Sequence, residues 1–468
     1  MYNLTPIDII IEQCYDDFPM TAGLNDKILQ LLKVKTENLP RDKKDVILEM
    51  DEMQLDPELK YLDRLDCVVG FEDDGEHKTQ KQAEYVTTIW IHSIGGTWMM
   101  PLCFIFTSAS ATIEQIKPLL FKSITKVEEI GLDVLGLITR MRVNFYDLML
   151  HLEVSPENPK FTVGSKEVIF LFEVPQLMNI TRNTLEKYKL KFYEYRTSWK
   201  HIKSLFEIES ETPGPQKTKL RMTHIKLSKD DRVVPRYSIE TLSNSVATEL
   251  RAHVNEGMLS SAAAGTAEFV EMFDKLFDLF NSIQETSETE LTSSFKGTEA
   301  QCRFIDRVLA FFDNLKVFNK EGKDCTGEVK FMNGWRITIK GTLLLWNIMK
   351  AKNHPYLLTR KLNCECLDKF KNVLLVPIAS ASGLISTPSF YSLYLQFYVT
   401  CYFINEKLHD ENEEFNISHY VRRVFRRIPP IRHNIGNTEM NASESNSDIE
   451  DLNTRFGGLM RELLDLGR

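Results

Sequence analysis

What this 468-residue sequence lacks narrows its function first. It holds no run of 18 apolar residues, so no segment reads as a membrane-spanning helix. Its opening, MYNLTPIDIIIEQCYDDF, has neither the basic stretch nor the small-residue cleavage site of a secretory signal. Eight cysteines are scattered at positions 14, 67, 103, 302, 325, 364, 366 and 401, with no CxxC pair and no zinc spacing. Reduced, mostly buried thiols in a reducing compartment are expected. GxxxxGK[ST], NKxD, GxSxG and HExxH are absent, and no GxGxxG follows a strand. A P-loop enzyme and a dinucleotide-binding dehydrogenase are thereby disfavoured. Excess positive charge is also lacking. With a net charge of −9, any contact with nucleic-acid phosphates needs a local basic patch rather than the mean field.

What is present is ample core material: 43% of residues are hydrophobic and 10% aromatic, which excludes wholesale disorder. The length suggests about three domains. Asn25 and Asp26 cap a short helix carrying Ile28, Leu31 and Leu32. Short β-rich runs follow at 45–50, 65–72, 86–94 and 98–106. Residues 110–131 have helical period, 133–139 read as a buried strand, 144–152 as a helix, and 167–175 as a strand stopped by Pro175. The order β-β-β-α-β-α-β, followed by a long helical region, predicts a mixed α/β sheet with helices on its faces. The stretch 266–283 predicts an amphipathic helix with Phe269, Phe273, Leu276, Phe277 and Phe280 on its apolar side. After Asn405 the composition turns polar and low in complexity, and residues 407–455 read as a mostly disordered tail. Within it, 422–432 carry five arginines in eleven residues. That run suits a nuclear import signal or a phosphate contact, and equally a solvated terminal tail.

Two carboxylates stand out. Asp51 ends the apolar run VILEM and is followed by Glu52, and an acid at the C-terminal edge of a central strand faces the usual ligand crevice of an α/β sheet. The plainer reading is a polar strand end. Asp368, in LNCECLDKF with Glu365 one turn before it, is on spacing alone a charged helix face.

Several segments together carry a family resemblance. LPRDKKDVILEMDEMQLDPELKYLDRLDCVVGFED resembles the start of the catalytic domain of P-element-type transposases and their THAP-containing relatives. SWKHIKSLFEIE, LSNSVATELRAHVNEGMLSSAAAGTAEFVEMFDKLFDLFNSI and GWRITIKGTLLLWNIMKAKNHPYLLTRKLNCECLDKF follow in the family's order, so that the resemblance covers roughly residues 25–405. It implies an α/β, ribonuclease H-like mixed sheet interrupted by a mainly α-helical GTP-binding insertion. The expected boundaries are a helical lead-in at 1–40, core at 41–185, insertion at 186–330, core again at 331–406, and the tail at 407–468. The family's zinc-coordinating DNA-binding domain would lie N-terminal, and no C…C…C…H spacing precedes residue 110.

In active relatives three carboxylates hold two Mg²⁺ ions for DNA strand cleavage and joining, because hard cations want oxygen ligands and closely spaced metals need several negative charges. The resemblance places Asp51 at the first acid and Asp368, one methylene short of the family's Glu, at the third. The second position falls on Thr139 or Arg140, neither of them acidic. The resemblance therefore implies Mg²⁺ at Asp51 and Asp368 only where the site is still competent. For the insertion it implies GTP, with Asp278 and Asn281, three apart, reading guanine, and Arg232-Val233 standing for a Lys-Val element near the nucleotide. An ordinary amphipathic helix is the alternative. The resulting expectation is a domesticated or decayed transposase that binds DNA or nucleotide, in the nucleus and away from membranes. The alternatives are an active Mg²⁺-dependent transposase that recruits Glu173 as a replacement acid, and a partner that associates with itself or with an intact transposase.

Overall fold

The computed structural model describes residues 21–62, 66–228, 231–370 and 384–391, together with 393, 394, 397, 398 and 401. The tail from 407 and its arginine run lie outside the described residues. The chain divides into two compact units, residues 1–135 with 365–468, and residues 136–364.

In the first unit, α1 (Asp26–Thr36) starts where the Asn25 side chain accepts a hydrogen bond from Lys27 N at 2.8 Å. The sheet is built on β1 (Asp45–Gln54), β2 (Phe71–Asp73), β3 (Lys78–Gln82), β4 (Tyr85–Ser93) and β5 (Met99–Thr107). β1 and β4 pair antiparallel over their full length, with Ile47 opposite His92, Glu49 opposite Trp90 and Asp51 opposite Thr88. β4 pairs antiparallel with β5, and the register shifts between Ile89 and Trp90. Pro101 sits at that shift, where a residue without an N–H costs no ladder bond.

The run 65–72 forms two strands rather than one. Cys67–Val69 pairs with Lys60–Leu62 in a small hairpin, and β2 joins the large sheet. Gly70 divides them at φ +106, where a Cβ would lie 1.9 Å from Glu58 O. Only glycine fits that approach.

Side chains alternate across β1. One face carries Met50 and Glu52. On that side Cys103 Sγ lies 3.6 Å from Ser123 Oγ of α2 (Ile113–Glu129), whose buried stripe is Ile116, Leu119, Leu120, Ile124 and Val127. The other face carries Glu49 and Asp51. It is covered by the short helix Glu365–Phe370 and by the segment containing Phe390, Tyr394 and Phe397. Ring centroids lie 5.2 Å apart for Trp90 and Phe370, 5.3 Å for Trp90 and Phe397, and 4.8 Å for Phe104 and Tyr394.

β6 (Asp133–Thr139) carries the chain into the second unit. There it runs parallel to β8 (Lys166–Phe172), with Thr139 opposite Phe172, and β8 forms a hairpin with β7 (Lys160–Val163). Between β6 and β7 lies α3 (Val143–His151). Pro175 does not merely stop β8. It occupies the first turn of α4 (Val174–Lys187), where its missing N–H has no intrahelical partner to lose. The insertion follows as α5 (Trp199–Glu211), α6 (Pro235–Thr241), α7 (Asn244–Asn255), α8 (Ala263–Leu279) and α9 (Glu299–Asn314). Its core joins Phe269, Phe273, Phe311 and Phe312 to Trp335. The long helix α10 (Phe331–Ala351) returns to β8. Gly341 lets it approach, since a Cβ there would lie 2.6 Å from Leu171 Cδ2. Thr338 Oγ1 is 3.0 Å from both the N and the O of Phe172.

Candidate catalytic and nucleotide sites

Asp51 and Glu52 are neighbours with opposite assignments. Glu52 is structural: its carboxylate accepts from Ser110 Oγ at 2.8 Å and Ala111 N at 2.7 Å, fixing the turn into α2. Asp51 lies on the other face, fully buried, opposite Thr88. Thr88 Oγ1 in turn accepts from Trp90 Nε1 at 2.9 Å. The helix Glu365–Phe370 lies on β1 and β4, so the structure brings the element bearing Asp368 to the face bearing Asp51. Cys366 and Phe370, one turn apart, are the buried ones among its described side chains. Asp368 falls roughly opposite them around a 3.6-residue turn and is half-buried.

Thr139 and Arg140, the two positions expected for the second acid, lie in the other unit and neither is acidic. Thr139 ends β6 fully buried, and its carbonyl accepts from Glu173 N at 3.0 Å. Arg140 Nε stands 2.8 Å from Glu173 Oε1, with the Glu173 side chain only 2% exposed. The other carboxylate oxygen, Oε2, accepts from Cys364 N at 3.4 Å. At Arg140, one of the two positions the resemblance offers for the second acid, this chain has a guanidinium and its counter-ion. Glu173 is thus engaged through both oxygens. A guanidinium and a carboxylate already paired to it are a donor set that does not suit a divalent cation at this spot.

In the insertion, α8 ends at Leu279, so Asp278 lies in its last turn and Asn281 just beyond its end. The two do not share one helical face, as their spacing suggests, because the chain leaves the helix at Phe280. Asn281 Oδ1 accepts from Asn363 Nδ2 at 3.3 Å. Asn363 Oδ1 also accepts from Val174 N at 3.1 Å. Thr359 ties the end of α8 down, donating to Leu279 O at 2.8 Å and accepting from Ser282 N at 3.0 Å. Burial raises the Asp278 carboxyl above its usual range. One turn earlier, Asp274 is pushed up to about 6 by burial and by the neighbouring Asp278, although it accepts from Asn244 N at 2.8 Å.

Arg232 is held internally. Its two terminal nitrogens reach Glu186 at 2.7 and 3.3 Å. Glu186 is shared with Arg182, at 2.5 Å, whose guanidinium also lies 4.4 Å from the Trp199 ring. Burial pushes the Glu186 carboxyl up, but the two guanidiniums outweigh it and hold it below the usual carboxylate range. A phosphate at Arg232 would compete with Glu186. Val233 is exposed, and its carbonyl accepts from Asn179 Nδ2 at 3.1 Å. Glu186, Asn363 and Thr359 are missed by sequence reasoning, because their partners lie 46 to 82 positions away. Glu49, His92 and Cys366 are missed too. Their ligand atoms lie within 4.8 Å of one another, and all three residues are buried. The signal for Glu49 was available in strand alternation, since it shares its face with Asp51.

A mixed sheet interrupted by a helical insertion, with acids on one sheet face, defines a ribonuclease H-like fold. Two family profiles match in that order: the TNP-like RNase H N-terminal domain over residues 20–153 and the TNP-like GTP-binding insertion domain over 176–292, together more than half of the chain. The chain belongs to the P-element-type transposase family. Human DNA transposase THAP9 is 22% identical to it over 402 residues, covering 80% of this chain and 43% of that protein. The chain thus spans less than half the length of this curated relative. The structure of the Drosophila P element transposase strand transfer complex matches with a TM-score of 0.70 at 18% identity, over 84% of each chain. Among the described residues, no helix is long and apolar enough to cross a membrane.

Proposed function

We propose that this chain is a transposase-family protein whose strand-cleavage chemistry is lost or severely weakened, and that it acts by binding DNA and guanine nucleotide in a regulatory role in the nucleus. The observation that supports this reading is Arg140, a cation paired to Glu173 at 2.8 Å at one of the two positions where the resemblance calls for an acid. Asp51 and Asp368 are the carboxylates that the resemblance leaves to hold Mg²⁺, one fewer than the three of active relatives. A Glu173 recruited as the missing acid would have to leave Arg140 and Cys364 N. The test is a titration with Mn²⁺, whose spectrum reports Mg²⁺-type sites. Weak binding of one ion, lost in Asp51→Ala, is expected, whereas two tight ions would contradict the reading.

The nucleotide half of the proposal rests on Asp278 and Asn281. Guanine offers two donors along one edge, and the Asp278 carboxylate offers two acceptors. The Asn281 amide donor, oriented by Asn363, faces the remaining acceptor chemistry of the base. Calorimetric titration of the full chain with GTP and ATP tests it. Preference for GTP is expected, and equal or absent binding of both would remove it.

A further inference from the structure

We propose that Glu49, His92 and Cys366 form a binding site for a zinc-class transition metal, separate in ligand chemistry from the Asp51 and Asp368 carboxylates. Glu49 on β1 and His92 on β4 point to the same sheet face, and Cys366 comes down onto it from the helix Glu365–Phe370. Their ligand atoms all lie within 4.8 Å of one another. Relative exposures are 1% for Glu49, 7% for His92 and 3% for Cys366.

Burial and hydrogen-bond alignment, rather than spacing, favour a metal over a simple ion pair. His92 Nδ1 stands 3.0 Å from Glu49 Oε1, yet neither oxygen of Glu49 receives an aligned hydrogen bond. Two ligands of one tetrahedral ion, each about 2.0–2.3 Å from it, stand about 3.3–3.6 Å apart, so an ion would open this pair by a few tenths of an ångström. A buried carboxylate lacking aligned donors is costly unless a cation compensates it. The donor set then selects the ion. Thiolate and imidazole suit Zn²⁺ and disfavour Mg²⁺, which takes oxygen ligands. Such an ion would tie Cys366 to strands that precede it in sequence by more than 270 residues. It would also fix the helix that carries Asp368, and so stabilise the folded chain.

The experiment uses the purified full chain, stripped of metal with a chelator and titrated with Co²⁺ as a spectroscopic substitute for Zn²⁺. One Co²⁺ per chain with a thiolate charge-transfer band is expected, displaced by equimolar Zn²⁺ and unaffected by Mg²⁺. Cys366→Ser should lose the band and His92→Gln should shift or lose it, while Cys103→Ser, a buried cysteine outside the cluster, should keep it. Zn²⁺ should raise the thermal midpoint of the unmodified chain and of Cys103→Ser, but not that of Cys366→Ser. Absence of the band in the unmodified folded chain, or its persistence in Cys366→Ser, would overturn the site. So would equal loss in Cys103→Ser.

Discussion

Arg140 and Glu173 are unequal partners: the carboxylate is almost fully buried, while the guanidinium reaches solvent along one edge. Removing Arg140 takes the guanidinium from beside a buried carboxylate. Arg140→Ala is therefore expected to cost about 2–4 kcal/mol, toward the lower side of the range for broken buried pairs. Glu173→Gln should cost less, because Arg140 can turn to water, and the double variant Arg140→Met with Glu173→Gln should recover most of the loss. Urea unfolding of the four proteins measures this, and equal costs for the two single variants would contradict the asymmetry. Asp278→Asn is expected to weaken GTP by about 1–3 kcal/mol, the cost of a charged hydrogen bond, and to narrow its preference over ATP. Asn281→Ala should cost less, since one neutral bond is lost. Titration calorimetry reads both.

At the scale of elements, α8 holds two acids half-buried one turn apart. The Asp274 carboxyl, pushed up to about 6 from 3.8, makes the folded state the stronger proton binder between those values. Stability contributed by this group therefore falls as pH rises through that window, and the penalty is fully present above it. Asp274→Asn keeps an oxygen for Asn244 N and removes the buried charge. Its thermal midpoint should exceed that of the unmodified chain at pH 8 and match it at pH 4. A gain of equal size at both would assign the effect to something other than ionisation. On α10, Gly341→Leu would drive a side chain into Leu171 and Phe170, and a loss of about 1–3 kcal/mol is expected from overpacking.

These elements also show what was readable in the sequence. The strands at 86–94 and 98–106, the helices at 110–131 and 144–152, and the return through GWRITIKGTLLLW follow from periodicity and from the family resemblance. Gly70 was legible as a glycine but not as a divider, because the carbonyl of Glu58 that excludes a Cβ comes from the loop before the Lys60–Leu62 strand. The non-acidic character of Arg140 was visible, but its pairing with Glu173 needed the parallel register of β6 and β8. The internal commitment of Arg232 was hidden for the same reason. A charged side chain reads as available to phosphate until the fold supplies a partner from 46 positions away.

At the scale of the whole molecule, both TNP-like domains are present, and on the proposed reading their binding outlives strand cleavage. The most direct measurement is Mg²⁺-dependent nicking of supercoiled DNA by the full chain, alongside Asp51→Ala. The account expects no nicking above the Asp51→Ala background, in Mg²⁺ or Mn²⁺. Robust nicking by the unmodified chain that disappears in Asp51→Ala would contradict it.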